Sequence, residues 1–259
     1  MSADERVLPS LLVIGAQKAG TTSLHSWLAQ HPAMEGYARK EAHYFDGGTD
    51  HAVDAYARGP GWYASLFPAR AELAPGAITF ESTPLYLFNP LAAGRIRQLL
   101  PRVRMVAVLR DPVERAISHY YHVVQRGRED LPLAEALRAE EARLALAAGD
   151  YKHPAFIRHS YKSRGLYAQQ LERYFALFDR EQLLVLSSDE LFSDPEGTVR
   201  RVLRHAGVEE AGAAISFAAQ NVGRLERGAD EAEADWLAGF FREPNERLFA
   251  LLGRRFDWR

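Results

Sequence analysis

The residues that most clearly indicate a chemical function lie near the amino terminus. They are residues 13–24, with the sequence VIGAQKAGTTSL. Gly15 and Gly20 have the spacing of a phosphate-binding loop, and three hydroxyl side chains follow the second glycine. A glycine-rich turn between a strand and a helix directs backbone N–H groups and the positive end of the helix dipole towards an anion. The stretch therefore predicts a phosphate site. A turn that needs glycine only for its backbone conformation is the alternative.

The lysine of this loop has an unusual place. In nucleoside-triphosphate loops, G-x-x-x-x-G-K-[ST], the lysine directly follows the second glycine and reaches the β and γ phosphates. Here Thr21 follows Gly20, and Lys18 comes two residues before that glycine. Because a lysine inside the loop reaches a different part of the anion, we expect a ligand with a shorter phosphate chain than a triphosphate.

A second candidate anion ligand is Arg110, which ends an apolar run and precedes a helical pattern. Open α/β sheets bind ligands beyond the carboxyl ends of their strands, and a guanidinium suits bidentate contact with phosphate. Asp111 stands at the N-cap position before Pro112, so helix capping explains it without chemistry. On the helix that follows, Ser118 and His122 are four residues apart and share a face.

A third group combines charges and aromatic side chains in residues 39–46, RKEAHYFD. An acid among apolar aromatic groups has a raised pKa, which makes a carboxylate a useful general base near neutral pH. Glu41 is the candidate for that base. A solvent-exposed pair of Lys40 and Glu41 on a loop explains the same residues equally well.

The elements that must position these residues alternate as in an α/β protein with a central parallel sheet flanked by helices. The predicted strands cover residues 11–15, 34–37, 77–80, 103–109 and 183–186. The predicted helices cover residues 22–30, 91–100, 112–126, 133–148, 167–177, 195–206, 230–241 and 245–252. No long Pro/Ser/Gly-rich segment divides the chain, so residues 1–259 are expected to form one domain, with residues 1–9 flexible.

Composition narrows the classes of function. With 259 residues, 47% hydrophobic and 25% charged, the chain can bury a substantial core. A net charge of -2 gives no sign of nucleic-acid binding. Cysteine is absent, which excludes disulfides, thiolate metal sites and a cysteine nucleophile. The first residues lack the apolar run of a signal peptide and no stretch has transmembrane length, so we expect a cytoplasmic protein without membrane contact.

Five motifs together resemble the sulfotransferases: VIGAQKAGTTSL, KEAHYFD, ESTPLYL, VLRDPVERAISHYYH and FREPNERLFALLGRRFDW. The set is most similar to the heparan sulfate N- and 3-O-sulfotransferase group and its bacterial relatives, and it spans nearly the whole chain in order. The resemblance implies 3′-phosphoadenosine 5′-phosphosulfate (PAPS) as sulfate donor and PAP as product. A small-molecule or glycan acceptor is expected. No metal is expected either, because a sulfuryl group carries less charge than a phosphoryl group and electrostatics does not require one.

The resemblance assigns roles to the donor-binding residues. The loop around the 5′-phosphosulfate would consist of Gln17, Lys18, Ala19, Gly20, Thr21 and Thr22. Lys18 would stabilise charge on the phosphate oxygen that leaves sulfur, and Arg110 and Ser118 would bind the 3′-phosphate. Glu41 is similar to the general base of the family, and His122 matches a histidine of the N-sulfotransferase branch.

The chain departs from the family pattern at two places. The ESTP motif has Ser82 where heparan-acting relatives usually have a lysine, which argues against a highly sulfated glycan as acceptor. The basic loop that closes over the nucleotide is not recognisable, and Arg224 and Arg227 are the candidates for its role.

The sequence thus favours in-line transfer of a sulfuryl group from PAPS to an acceptor hydroxyl or amine, with Glu41 or His122 taking the proton. An ATP-dependent kinase is one alternative, and the position of Lys18 disfavours it. A nucleotide-binding module without catalysis is another, which the presence of both candidate bases disfavours. The relative affinities for PAPS and ATP distinguish a sulfotransferase from a kinase. Transfer of labelled sulfate to an acceptor distinguishes it from a module without catalysis.

Overall fold

The computed structural model describes residues 5–209, 214–218 and 231–258, in which five parallel strands form one sheet. The strands are β1 Leu11–Gly15, β2 Met34–Gly36, β3 Ile78–Ser82, β4 Arg104–Leu109 and β5 Leu183–Ser187. All five lie where the sequence predicts them, and their ends differ by at most two residues. The predicted central parallel sheet is therefore confirmed.

The strand order, β2-β3-β1-β4-β5, places β1 at the centre of the sheet. Every residue of β1 is buried, and so is every residue of β4 except Arg104. Such uninterrupted apolar runs are typical of parallel strands that are covered on both faces. From β1 the chain first builds β2 and β3 on one side and then β4 and β5 on the other. The carboxyl ends of β1 and β4 therefore border the switch point at which open α/β sheets bind ligands.

Twelve α-helices flank the sheet in the described residues, and their bounds are as follows. They are α1 Thr21–Leu28, α2 Gly59–Ala64, α3 Leu85–Phe88, α4 Ala92–Leu99, α5 Pro112–Val124, α6 Leu133–Arg138, α7 Glu140–Ala147, α8 Pro154–Arg158, α9 Tyr167–Phe175, α10 Ser188–Ser193, α11 Pro195–Ala206 and α12 Glu231–Leu252. Within the described ranges, no helix combines the length and the apolar character needed to cross a membrane.

Three groups of helices differ from the sequence prediction. Helices α2, α3, α8 and α10 have four to six residues, too few to show a helical period, and were not predicted. The predicted helix 133–148 is two helices that meet at Ala139, and the buried Glu140 carboxylate after this junction accepts the N–H groups of Lys162 and Ser163. The predicted helices 230–241 and 245–252 are one helix, which continues through Pro244. Buried side chains on both sides of this proline hold the helix together despite the missing hydrogen bond.

Helix α5 is fixed by an apolar cluster separate from the main core around the sheet. Val113, Ile117 and Tyr120 of this helix pack with Leu137 of α6 and Phe241 of α12. The same helix carries the predicted site residues Ser118 and His122 on a partly exposed face. Packing on one face therefore holds the other face in place.

The first described residues contact residues 67–69 of the chain. Arg6 forms an antiparallel bridge with Ala69, and its guanidinium donates to the Phe67 carbonyl at 3.0 Å. The N–H of Val7 donates to the Pro68 carbonyl at 3.0 Å. Arg6 and Val7, which belong to the segment that the sequence analysis expects to be flexible, thus have specific partners.

Gly15 is required by close packing at the end of β1. A side chain there would place its Cβ 2.6 Å from Leu87 Cβ and 3.2 Å from the Pro84 carbonyl oxygen. We expect Gly15→Ala to lower the free energy of unfolding by about 1–3 kcal/mol, because the added carbon overpacks the contact with α3. Gly94→Ala is the matched control, since a Cβ there meets no atom within 4 Å and alanine is favoured in a helix. Denaturant unfolding of the two variants measures the difference, and equal effects would contradict this account.

Candidate active site

The loop after β1 ends at a helix whose first amides are not capped by a side chain. Gly20 is the N-cap of α1, with a left-handed φ of 98°, and a Cβ there would lie 2.8 Å from Leu191. Thr21 and Thr22 begin the helix. Uncapped N–H groups at a helix start, together with the helix dipole, form an anion-binding site. The geometry is that of the phosphate loop expected from the glycine spacing.

Lys18 and Arg110, far apart in sequence, are brought together at the switch point. The N–H of Ala16 donates to the Val108 carbonyl at 2.7 Å, and Arg110 Nη1 donates to the Lys18 carbonyl at 3.3 Å. Lys18 itself is left-handed, with a φ of 70°, a conformation that costs free energy and is common at ligand sites. Burial and then the positive charges of Arg110 and Arg126 lower the pKa of Lys18. The loop thus lies in a positive field that an anion would relieve.

Arg110 is held by an acid on the next helix. Its Nε and Nη2 atoms donate to Glu114 Oε2 at 3.0 and 2.8 Å. Asp111 has the capping role expected of it, because its carboxylate accepts the Val113 N–H at 2.8 Å. A phosphate that binds Arg110 must therefore compete with Glu114, whose side chain is 52% exposed.

Glu41 differs from the sequence expectation in its pKa. Its Oε1 atom accepts from Lys40 Nζ at 2.8 Å, and Oε2 lies 3.1 Å from His43 Nε2. Burial would raise its pKa, but the hydrogen bond from His43 and the charge of Lys40 outweigh burial and lower the pKa to about 2. The expectation of a raised pKa is therefore wrong, because cationic neighbours offset the apolar surroundings. Glu41 is ionised at neutral pH.

His43 joins Glu41 to a buried acid. Its Nδ1 atom lies 2.7 Å from Asp46 Oδ2, and Asp46 Oδ1 accepts the Gly48 N–H at 2.9 Å. Burial opposes protonation of the imidazole, but hydrogen bonds and charge from Asp46 and Glu41 raise the pKa of His43 to about 10. Sequence reasoning missed His43 and Asp46, although both belong to the quoted motif and follow the candidate base by two and five residues.

His122 lies close enough to both halves of the site to respond to their charges. Burial, Lys18 and Arg126 lower its pKa below the ordinary value, while Glu41 acts in the opposite direction. The imidazole is therefore neutral near pH 7. Ser118 lies one turn earlier on the same helix and is partly exposed. Arg224 and Arg227, the candidates for a closing basic loop, lie outside the described residues.

Residues 8–219 match the family model of the sulfotransferase domain. The chain belongs to the sulfotransferase family. It is 29% identical to heparan sulfate glucosamine 3-O-sulfotransferase 6 of Homo sapiens, over 98% of this chain and 74% of that protein. It is 28% identical to bifunctional heparan sulfate N-deacetylase/N-sulfotransferase 4 of Mus musculus, over 95% of this chain and 30% of that protein. The crystal structure of a sulfotransferase from Alicyclobacillus acidocaldarius is similar with a TM-score of 0.78 and 31% identity, covering 96% of this chain and 98% of that one.

These similarities confirm the family resemblance, the fold and the class of reaction expected from the sequence. The protein is a sulfotransferase, an enzyme that transfers a sulfuryl group, and its family implies PAPS as the donor.

A buried arginine of this sulfotransferase contacts the loop after β1 and was not predicted. Arg164 Nη1 donates to the side-chain oxygen of Gln17, its Nε donates to Ser160 Oγ at 2.7 Å, and Nη2 donates to the Ile157 carbonyl at 2.8 Å. Burial and the charge of Arg115 lower its pKa to about 9. No motif marks Arg164 in the sequence, because its partner in the loop lies 147 residues away.

Arg115 adds a second buried guanidinium behind the loop of the sulfotransferase. Its Nη2 donates to the Tyr161 carbonyl, while Nε and Nη1 have no hydrogen-bond partner among the described residues. Arg115 contributes to the lowered pKa of Lys18. The surroundings of the loop after β1 therefore carry positive charge that neighbouring acids only partly offset.

The raised pKa of His43 leads to a pH prediction. Its protonated form stabilises the folded sulfotransferase below its ordinary pKa of 6.5, and we expect this stabilisation to be lost as pH rises towards about 10. Asp46→Asn should lower the pKa of His43, because the amide keeps the shape of the carboxylate but not its charge. Asp150→Asn is the control, since Asp150 pairs with the distant, half-exposed His51. NMR titration of the imidazoles measures the effect, and a wild-type pKa of His43 near 6.5 would contradict it.

Proposed function

We propose that this sulfotransferase binds PAPS across the switch point and transfers its sulfuryl group in line to a hydroxyl or amine of a carbohydrate or small molecule. Support comes from one feature of the site: the uncapped start of α1 and Lys18 lie in a positive field shared with Arg110. Such a site suits a ligand with two separate anionic groups. The family membership of the chain supports the same donor.

The donor-binding roles follow from where the groups lie. The loop from Gln17 to Thr22 would hold the 5′-phosphosulfate on backbone N–H groups and hydroxyls. Arg110, with Ser118 on the adjacent helix, would hold the 3′-phosphate. When bound, PAPS supplies an activated sulfuryl group attached to phosphate. Arg164 would keep the Gln17 side chain in place through its hydrogen bond.

Lys18 would stabilise the charge that develops on the oxygen leaving sulfur. Preorganised donors directed at such an oxygen act strongly in a site that excludes water, and they need no reorganisation during the reaction. A sulfuryl group carries less charge than a phosphoryl group, so its transfer makes a smaller electrostatic demand on the site. Transfer without a metal stays a prediction, as does a cytoplasmic location.

Glu41 is the proposed proton acceptor. Its carboxylate is ionised at neutral pH, and His43 and Lys40 orient both of its oxygen atoms. Asp46 in turn fixes the imidazole of His43. His122 is a second candidate, because its lowered pKa leaves it neutral and able to accept a proton at physiological pH.

We propose that the part of the acceptor that lies near β3 carries little negative charge. Ser82 is fully buried, and its Oγ atom lies 2.9 Å from His25 Nδ1. Burial and the charge of Lys40 lower the pKa of His25 to about 4, so this pair adds no positive charge at neutral pH. The two mammalian relatives are named for heparan sulfate, and an uncharged sugar or alcohol is the acceptor that Ser82 and His25 favour here.

The activity is tested with labelled PAPS and a panel of acceptors that includes unsulfated oligosaccharides, sulfated oligosaccharides and simple alcohols. Label transfer to an uncharged acceptor is the expected result. Binding of PAP and ATP is measured by calorimetry beside it. Preference for ATP would favour the kinase alternative, and PAP binding without transfer to any acceptor would favour a non-catalytic module.

Lys18→Ala tests the role of the loop lysine. We expect kcat to fall by about 10²–10³, the usual loss when one preorganised donor to a developing negative charge is removed. Arg200→Ala removes a positive charge from the exposed surface of α11 and should leave kcat unchanged. Steady-state kinetics with saturating PAPS measures both variants. Near-normal turnover by Lys18→Ala would refute the assigned role.

Glu41→Gln and His122→Asn separate the two candidate bases. With Glu41 as the base, the glutamine variant should lose about 10²-fold or more in kcat and the His122 variant much less. Glu35→Gln, at an exposed position of β2, is the matched control. The pH dependence of kcat/KM gives an independent reading. A loss of wild-type activity as pH falls through the pKa of His122, with the larger defect in His122→Asn, would assign the proton to His122 instead.

A further inference from the structure

The segment that carries Glu41 and His43 is held by side chains through its backbone. The N–H of Ala42 lies 3.2 Å from Glu81 Oε2 and 3.1 Å from Thr83 Oγ1. The N–H of His43 lies 3.5 Å from the same Thr83 oxygen. Both partners come from β3 and the turn after it.

The next two amides of this segment use a single phenol oxygen. The N–H of Tyr44 donates to Tyr86 Oη at 3.0 Å, and the N–H of Phe45 lies 3.4 Å from the same atom. Four consecutive N–H groups, residues 42–45, are therefore bound by three side chains of the ESTPLY sequence. Side chains rather than a neighbouring strand set the path of this segment.

A buried carboxylate determines which way the two hydroxyls point. Thr83 donates its hydroxyl hydrogen to Glu81 Oε2 at 3.1 Å, and Tyr86 donates to Glu81 Oε1 at 3.0 Å. A hydroxyl has one hydrogen and two lone pairs. Because each hydrogen goes to Glu81, both lone pairs of each oxygen face the N–H groups of residues 42–45.

Each carboxylate oxygen of Glu81 accepts two hydrogen bonds. Tyr63 donates to Oε1 at 2.7 Å beside Tyr86, and Oε2 accepts from Thr83 and from the Ala42 N–H. Burial raises the pKa of Glu81 to about 7 although these hydrogen bonds favour the ionised form. The side chain is fully buried and has no access to an acceptor molecule.

We propose that Glu81 is a positioning residue for sulfuryl transfer: through Thr83 and Tyr86 it holds residues 42–45 and thereby places Glu41 and His43. The inference rests on the proposed function only in that Glu41, oriented by His43, is taken to accept the proton from the acceptor. His43 is left-handed, with a φ of 50°, and a side-chain-bearing residue keeps that conformation only when its surroundings impose it. The bonds to the backbone on both sides of His43 supply that support.

Three substitutions test this positioning role. Thr83→Val and Tyr86→Phe remove one hydroxyl each, and Glu81→Gln replaces one acceptor oxygen by an NH₂ donor. Tyr63→Phe is the matched control, because it removes a hydroxyl bonded to Glu81 that contacts no amide of residues 42–45. Thr83→Ser restores the hydroxyl. Amide hydrogen exchange of residues 42–45 is measured without substrates at about pH 8.5, where Glu81 is ionised, and kcat and the Kd for PAP are measured separately.

We expect Thr83→Val, Tyr86→Phe and Glu81→Gln to speed exchange of residues 42–45 by about 10-fold or more. Each should lower kcat by about 10–100-fold, the scale of loss when a reacting group is slightly misplaced, with the Kd for PAP unchanged. Thr83→Ser should restore both readouts, and Tyr63→Phe should change them little.

Unchanged exchange in the three variants would overturn the proposal, and so would normal kcat despite fast exchange. A defect in Tyr63→Phe as large as that in Tyr86→Phe would also overturn it, since it would indicate general destabilisation around Glu81. A wild-type protein that transfers no sulfate would instead refute the proposed function. The exchange measurement, which needs neither donor nor acceptor, still reports on the hydrogen bonds in that case.

Discussion

The accumulation of positive charge behind the loop after β1 is the constraint on which the rest of the site depends. Arg115 and Arg164 are buried, and their hydrogen bonds within the described residues go to uncharged oxygen atoms. Burial and then the charges of neighbouring arginines, Arg115 among them in both cases, lower the pKa values of Lys18 and Arg164. A lowered pKa means that the folded protein holds the charge at a cost in free energy. Binding an anion offsets that cost, so the free protein is electrostatically prepared for its donor.

The other half of the site has a different electrostatic design. There the carboxylates of Glu41 and Asp46 alternate with the cations of Lys40 and His43, so opposite charges are paired at short range. The positive charge of Lys18 lowers the pKa of His122 and the negative charge of Glu41 raises it, so both halves influence this imidazole. A site with one unbalanced and one balanced half separates two tasks. In the proposed reaction the unbalanced half would attract the charged donor, whereas the balanced half would receive a neutral acceptor group without a large desolvation penalty.

The sequence predicts those parts of the molecule that depend on local pattern. Buried parallel strands are uninterrupted apolar runs, and the glycine spacing marks the turn between β1 and α1, so both could be found. The ends and junctions of helices could not, because the continuation through Pro244 depends on packing on both sides of it. The shift in the pKa of Glu41 is opposite to the prediction. The aromatic neighbours in the sequence indicate a raised pKa, but the hydrogen bond from His43, which the sequence does not show, helps to lower it. No sequence pattern indicates a role for Arg164, because its hydrogen bond to Gln17 joins residues that are 147 positions apart in the chain.

The burial of Glu81 gives a physical reason for the ESTPLY motif, which the family resemblance identifies but does not explain. A carboxylate inside a sheet covered on both faces is costly unless its lone pairs are filled. Glu81 therefore requires several donors, and Thr83 and Tyr86 lie close enough in sequence to supply two of them from the turn after β3. Once their hydrogens point towards Glu81, their lone pairs are free to accept, and here N–H groups satisfy them. The segment after β2 offers four such groups in succession, so the same cost of burial that fixes the carboxylate also fixes the backbone between Glu41 and Asp46.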